Sequence, residues 1–330
     1  MTGGISRKVP SKDFSLRNML ILIFGKDTYR GWQKLKEIVG DFEQENNISL
    51  SLDSLENDTF TIEDLKNELR HGSMFEKKKI VVLRNGFSKT NFKEGFMKEI
   101  KGLSGYKDAL MVFYEEGEAS INADFLKLLK KYGDVYKFDF LKDSDLKEWV
   151  KKELSLLGAR VNPDALALLI NSTGGDLWRL SAEIKKLVAY KVSEKNIEKK
   201  DVELLVRPNV NAVIFKTIDA IAAGDKKIAL DLIYRHLEKG DSPLYLFSMI
   251  IFQFRNLLVV KELEERSFEE KVKILKPMRP FVVRKSSWLA GRFSLKQLQD
   301  IYLKIFKMDL AIKKGKIKPE TALELLVADI

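Results

Sequence analysis

The sequence predicts an α/β domain built on a parallel sheet, followed by two helical domains. Three observations carry this. Over the first 140 residues, short apolar runs alternate with charged segments of helical spacing, as in a sheet covered on both faces. After Phe140 only helical spacing continues. The 330 residues also exceed what one core usually organises, so two or three domains are expected.

The elements follow in order. Residues 19–24 (MLILIF) form an apolar run ended by Gly25, as a buried parallel strand would be. Residues 28–45 have helical spacing, with Trp32, Leu35 and Val39 on one face. A strand is expected at 48–52 and a short helix at 61–70, with Thr61 as its cap and Ile62, Leu65 and Leu69 on one side. Further strands are expected at 80–83, 109–114 and 135–138, and helices at 91–101 and 122–131.

From Asp143 the strands are expected to stop. Leu146, Val150 and Leu154 mark one helix, ended by Gly158. Asn162-Pro163-Asp164 has the form of a helix start: a cap, a first-turn proline and an acid. Leu177, Leu180, Ile184 and Leu187 mark the next helix, and a short one follows near 200–205. Beyond Pro208, apolar spacing is helical throughout, as in Ile214, Ile218, Ile221 and again Leu230, Ile233, Leu237. A long helix follows Ser242-Pro243, Ser294-x-x-Gln297 is a capping box, and a last helix follows Pro319. The expected domains are a tail at 1–17, an α/β domain at 18–140, a small helical domain at 141–208 and a larger one at 209–330.

Composition narrows the function. With 45% apolar and 32% charged residues the chain is an ordinary globular protein. It has no cysteine, which excludes disulfides and thiolate metal sites and fits a reducing cytoplasm. The most apolar stretch, 244–260, is interrupted by Ser248, Gln253, Arg255 and Asn256, so no membrane span is expected. No secretory signal is read in 1–17. The net charge of +10 is uneven: +3 in residues 1–17, zero over 18–210, and +7 over 211–330. A basic last third is compatible with polyanion contact or with a solvated helical surface.

Catalytic constellations are scarce. The two histidines, His71 and His236, are far apart and read as surface residues, and no metal-ligand spacing is seen. The α/β pattern invites a nucleotide site, which would need G-x-x-x-x-G-K-[ST] after the first strand. That place reads Gly25-Lys26-Asp27-Thr28: Leu20 stands where the first glycine should be, and the Asp27 carboxylate would repel a phosphate. The third strand ends in Arg84-Asn85 and not in a metal-binding acid. Glu115-Glu116 ends the fourth strand and reads as surface charge. No cofactor or metal is expected.

Several segments resemble one family. Leu22-Ile23-Phe24-Gly25-Lys26-Asp27-Thr28-Tyr29 is similar to the opening of the delta subunit of bacterial DNA polymerase III. Similar stretches follow in order: Leu69-x-x-Gly72-Ser73-Met74-Phe75 with Lys79 to Asn85; Leu177-Trp178-Arg179-Leu180-x-x-Glu183-Ile184; Phe215-x-x-Ile218-Asp219-Ala220-Ile221; Gln253-Phe254-Arg255; and Pro280 to Lys285. Each motif is weak alone; six in order across the whole chain make the likeness specific.

The resemblance implies an AAA+-like first domain without a phosphate-binding loop, a small helical lid, and a C-terminal collar domain that oligomerises. It implies a clamp-loader subunit in DNA replication with no catalytic site of its own, within a DNA-directed DNA polymerase (nucleotidyltransferase) holoenzyme. The implied partners are the beta sliding clamp, the gamma/tau and delta prime subunits, and primed DNA. The implied clamp contact is Met74 and Phe75, with Ser73 beside them and Leu69 in support; many relatives have leucine then phenylalanine at the pair. The pair is bracketed by Gly72-Ser73 and Glu76-Lys77-Lys78-Lys79, a polar rim suited to an apolar anchor. Composition alone allows it to pack under the sheet instead. Lys313, Lys314, Lys316 and Lys318 form the densest basic run of the last domain. They are read either as DNA phosphate contacts or as a helix C-terminus with a glycine stop. Trp149, Trp178 and Trp288 are expected in helices as core or interface residues. Rival readings are an active ATPase with a divergent site, and a basic helical nucleic-acid-binding protein unrelated to clamps.

Overall fold

The computed structural model describes residues 19–46, 60–70, 78–106, 108–118, 121–191, 195–207, 210–238, 240–276 and 278–329. The chain divides into two compact units, Met1–Asp139 and Phe140–Ile330.

The first unit is a parallel sheet of four described strands: β1 (Leu20–Gly25), β2 (Lys79–Arg84), β3 (Ala109–Glu116) and β4 (Asp134–Lys137). Their order is β2-β3-β1-β4, with Leu22 beside both Phe113 and Val135. The strand expected at 48–52 lies outside the described residues. Side chains alternate across a strand, and both faces of this sheet are covered. That is why β1 and β3 read as continuous apolar runs. On one face Leu20, Leu22, Phe24, Met111 and Phe113 meet α2 (Ile62–Arg70), α3 (Thr90–Leu103) and α4 (Ala123–Tyr132). On the other, Ile21, Ile23, Val112 and Tyr114 meet Leu35, Ile38, Val39 and Phe42 of α1 (Thr28–Asn46). Phe87 and Phe113 stack at 4.7 Å, and Phe96 meets Phe113 edge-on at 4.8 Å. Each such ring contributes about 1.5–3 kcal/mol through burial.

In the second unit α5 (Asp143–Leu156), α6 (Pro163–Thr173), α7 (Leu177–Tyr190) and α8 (Lys199–Leu205) come first. The expected core positions Leu146, Val150, Leu154, Leu180, Ile184 and Leu187 are buried. Asp176 caps α7 by accepting from the Arg179 N–H at 3.1 Å. Asn162 stands at the start of α6 with extended backbone, yet its side chain makes no capping bond there; Pro163 and Asp164 carry the start.

The expectation that strands stop after Phe140 is not met. β5 (Arg160–Val161) and β6 (Asn196–Ile197) form a two-stranded parallel ladder. Two residues are too few to show a period of two, so tertiary contact alone creates this ladder.

The rest of the unit is helical: α9 (Val210–Ala222), α10 (Lys226–Glu238), α11 (Pro243–Glu262), α12 (Phe268–Ile274), α13 (Pro280–Ala290), α14 (Leu295–Lys313) and α15 (Pro319–Asp329). Helix α11 lies at the centre. By length and composition it could cross a membrane, with 44% of its most apolar window buried. Leu246, Phe247, Ile250, Phe254 and Leu257 pack into one core with Ile218, Val283, Leu298, Ile305, Leu323 and Leu326.

Two arginines of the α13 region tie this core to the first helices of the unit. Arg279 reaches Asp176 at 2.7 Å, and Arg284 pairs with Asp143. Gly175, at φ +72°, sits where a Cβ would meet Leu146 at 3.3 Å and Phe281 at 3.4 Å.

Candidate functional site

In an open parallel sheet, ligands bind at the carboxyl ends of the strands. Here β1 ends at Gly25, whose φ of +133° and close approach exclude a side chain: a Cβ would lie 2.2 Å from the Phe138 carbonyl. The Asp27 N–H donates to that same carbonyl at 3.0 Å. Asp27 is buried. One of its oxygens accepts the Arg30 backbone N–H at 3.1 Å and the other accepts Arg30 Nε at 2.7 Å. Arg30 also donates to the Asp139 carbonyl and lies over the Phe138 ring.

Asp27 is therefore the N-cap of α1. Its carboxylate satisfies the N–H group and the partial positive charge that a phosphate would otherwise use. Tyr114 packs beneath this turn and donates to the Thr28 carbonyl at 3.0 Å. Burial, then Glu116, pushes its hydroxyl up to about 12.

The ends of β2 and β3 are joined by side chains. Asn85 adopts a left-handed conformation, φ 53°, and its Oδ1 accepts the Glu116 N–H at 2.8 Å. Arg84 pairs with Glu116 at 3.2 Å. Glu115 corrects the reading of Glu115-Glu116 as surface charge. It is buried, and its Oε1 accepts the Phe87 N–H at 2.9 Å. The cause is the 3₁₀ turn Gly86–Ser88, which folds over the strand end and needs an acceptor below it. Glu116 is exposed, as expected.

Leu69 lies on the last turn of α2, buried with Leu65 against Phe92 and Phe96. The helix is positioned by a reciprocal cap: Asp64 N–H donates to Thr61 Oγ1 at 3.2 Å, and Thr61 N–H donates to Asp64 at 2.8 Å. The Thr61 side-chain and backbone donors hold the Asp64 carboxyl below its usual range. Lys66 ties α2 to α3 by reaching Glu99 at 3.0 Å, and Glu99 and Glu63 raise its pKa. Ser73, Met74 and Phe75 fall between Arg70 of α2 and Lys79 of β2, and lie outside the described residues.

Lys313, Lys314, Lys316 and Lys318 are all exposed. Gly315, at φ +67°, ends α14, with its N–H on the Ile312 carbonyl and the Lys316 N–H on the Ala311 carbonyl at 2.9 Å each. Lys313 pairs with Asp309 at 2.6 Å.

His71 lies outside the described residues, and His236 is not a surface residue. It is buried, with Nδ1 bonded to the Asp241 carboxylate, because the turn after α10 folds back beneath it. Among the described residues no group of three or more His, Asp or Glu side chains could hold a metal. Trp178 and Trp288 are on helices but 49% and 58% exposed, so neither is a core residue, and Trp149 is half-buried.

The first unit is thus a parallel-sheet and helix module in which an internal carboxylate occupies the N-terminus of the first helix, and helical modules follow it in the chain. The chain is similar to DNA polymerase III delta subunits. Residues 211–330 match the family model for the DNA polymerase III delta subunit, C-terminal domain. The chain is 24% identical over 326 residues to DNA polymerase III subunit delta of Bacillus subtilis (strain 168), spanning 93% of this chain and 91% of that protein. It is 30% identical over 150 residues to the probable DNA polymerase III subunit delta of Aquifex aeolicus (strain VF5), 44% of this chain and 42% of that one. The solved Bacillus subtilis DNA clamp loader delta protein (YqeN) has the same fold, with TM-score 0.72, 20% identity and 94% of each chain covered.

Proposed function

We propose that this chain is a clamp-loader subunit that binds the beta sliding clamp and favours its open form, so that the ring can be placed on primed DNA. The observation that carries this reading is Leu69. It is buried at the end of a doubly anchored helix, directly before Gly72-Ser73-Met74-Phe75. A fixed helix end followed by an apolar pair on a polar rim suits an interface anchor, and methionine adapts to an irregular pocket. Residues 18–140 grip the clamp, 141–208 serve as the lid module, and 209–330 join the gamma/tau and delta prime subunits in a collar. Lys313, Lys314, Lys316 and Lys318 face DNA phosphates in the assembled complex. The complex works in the cytoplasm.

No covalent chemistry is required of the chain. A subunit that fits the open clamp edge better than the closed one shifts the population toward open. Asp27 supports a role without nucleotide hydrolysis, since the α1 N-terminus already holds its own anion.

A clamp carrying a fluorophore and quencher across one subunit interface tests the proposal. Addition of the chain should relieve quenching, and the Met74→Asp/Phe75→Asp variant should not. A parent chain that leaves the ring quenched would remove the opening role.

A further inference from the structure

Between α9 and α13 a lysine lies in an aromatic slot. Phe281, Lys285 and Trp288 share one face of α13, at four- and three-residue spacing. Lys285 Nζ is 4.7 Å from the centre of the Phe215 ring, which α9 supplies, and 6.0 Å from that of Phe281. Phe215 is buried, and Lys285 is only partly exposed.

The slot holds more positive than negative charge. Lys216 follows Phe215 on α9, and Arg292, just past the end of α13, lies over the Trp288 ring at 4.7 Å. Asp219 is the carboxylate on this side of α9, and Arg292 occupies it at 3.0 Å. Among the described residues Lys285 itself forms no ion pair. Arg284 turns away to Asp143 and Arg279 to Asp176, so neither adds to the slot.

Two features of this geometry disfavour the charged amine: apolar rings in place of water, and a like charge alongside. The ring faces return part of the lost hydration. Burial first, then Lys216, brings the Lys285 pKa down to about 8, with Asp219 opposing. At pH 7.5 about a quarter of Lys285 is then neutral, against about a thousandth of a lysine at the ordinary 10.5. The neutral amine has the lone pair that attack requires. Lys216 and Arg292 meanwhile favour the approach of a dianion.

We propose that Lys285 is a site of covalent N-acylation and that its donor is an acyl phosphate, drawn in by Lys216 and Arg292. The Nζ lone pair attacks the acyl carbon. The N–C bond forms, the bond from that carbon to the phosphate oxygen breaks, and inorganic phosphate leaves with the electron pair. Nζ gives up one proton to water or to the departing phosphate, and nothing is oxidised or reduced. The product is a neutral amide, so acylation removes the charge from the slot together with its repulsion of Lys216. Acylation at this position does not depend on the clamp-loader role.

The full chain is treated with acetyl phosphate between about pH 7 and pH 10, and the acetylated fraction of each lysine is followed by peptide mass spectrometry. The exposed Lys152 and Lys227 serve as internal references. At pH 7.5 Lys285 should react about tenfold faster than either, its larger neutral fraction being partly offset by lower basicity. Its rate should level off above about pH 9 while the references keep rising. Lys216→Gln should keep its helical content, slow Lys285 severalfold and leave the references unchanged; with a neutral acetyl ester the same substitution should matter less. Unfolding in guanidinium chloride should abolish the selectivity. A folded parent whose Lys285 reacts no faster than Lys152 and Lys227 overturns the proposal, as does a preference that survives unfolding. A preference equal with the neutral ester and untouched by Lys216→Gln overturns the choice of donor.

Discussion

The two units differ in where they place their large apolar side chains. In Met1–Asp139 the described sheet is covered on both faces, and among the described residues nearly every large apolar side chain is inside. In Phe140–Ile330 the helices bury one stripe each, and several carry a second, exposed one: Leu244, Tyr245 and Phe252 on α11, Leu303, Phe306 and Leu310 on α14. A sheet strand has only two sides, and both are taken here. A helix has a full circumference, and only about a third is needed for its core. The difference teaches that a sheet covered on both faces leaves few large apolar side chains on the described surface of the first unit, while helices can keep a second apolar stripe turned to solvent.

Substitution inside the first unit should break it most. Phe113→Ala removes the ring on which Phe87 and Phe96 pack, and should cost about 3–5 kcal/mol in denaturant unfolding. A loss below about 1 kcal/mol would mean that the aromatic cluster is not the core of that unit.

Lys285 supplies the next effect, in the second unit. It lies over the rings of Phe215 at 4.7 Å and Phe281 at 6.0 Å. Burial first, then the neighbouring Lys216, pushes its pKa down to about 8 from an ordinary 10.5, with Asp219 opposing. The folded form therefore carries a penalty that is full below pH 8 and disappears as pH rises toward 10.5. Lys285→Met should raise stability at pH 7 by on the order of 2 kcal/mol, and the gain should shrink through that window. A gain independent of pH would contradict the assignment.

Asp27→Ala should cost about 1–2 kcal/mol through the lost cap of α1. Nucleotide binding by that variant would show that Asp27 had been shielding a working site. Smallest of all, Phe306→Ser should change unfolding by under about 0.5 kcal/mol, because an exposed ring contributes little to the monomer.

Most of the described elements of the first unit were legible because strands buried on both faces leave unbroken apolar runs, as in residues 20–24 and 109–114. Thr61, Ser242 and Ser294 announced helix starts through local chemistry alone. The replaced phosphate loop was legible as Asp27, and the structure adds that this carboxylate caps the helix. Other features depend on contacts distant in sequence. Nothing near Glu115 says that the Phe87 N–H will lie against it, and a two-residue ladder such as β5 with β6 leaves no pattern. His236 had a readable partner in Asp241, five residues on, but its burial depends on the turn. The outer stripe of α14 is hidden by the inner one: Leu298, Ile301 and Ile305 alone give the helix its apolar period, and Leu303 and Phe306 add nothing to that signal. Met74 and Phe75 were legible only through the family resemblance, since an apolar pair after a helix can equally be a core pair.

The most direct test is a titration of the full chain on its own organism's immobilised sliding clamp, with Met74→Asp/Phe75→Asp beside it and thermal unfolding as the fold check. The account predicts that the parent binds and that the variant loses about thirtyfold or more in affinity while unfolding at the parent temperature. Equal binding by the two folded proteins would contradict the placement of the anchor, and a parent with no clamp affinity would contradict the function itself.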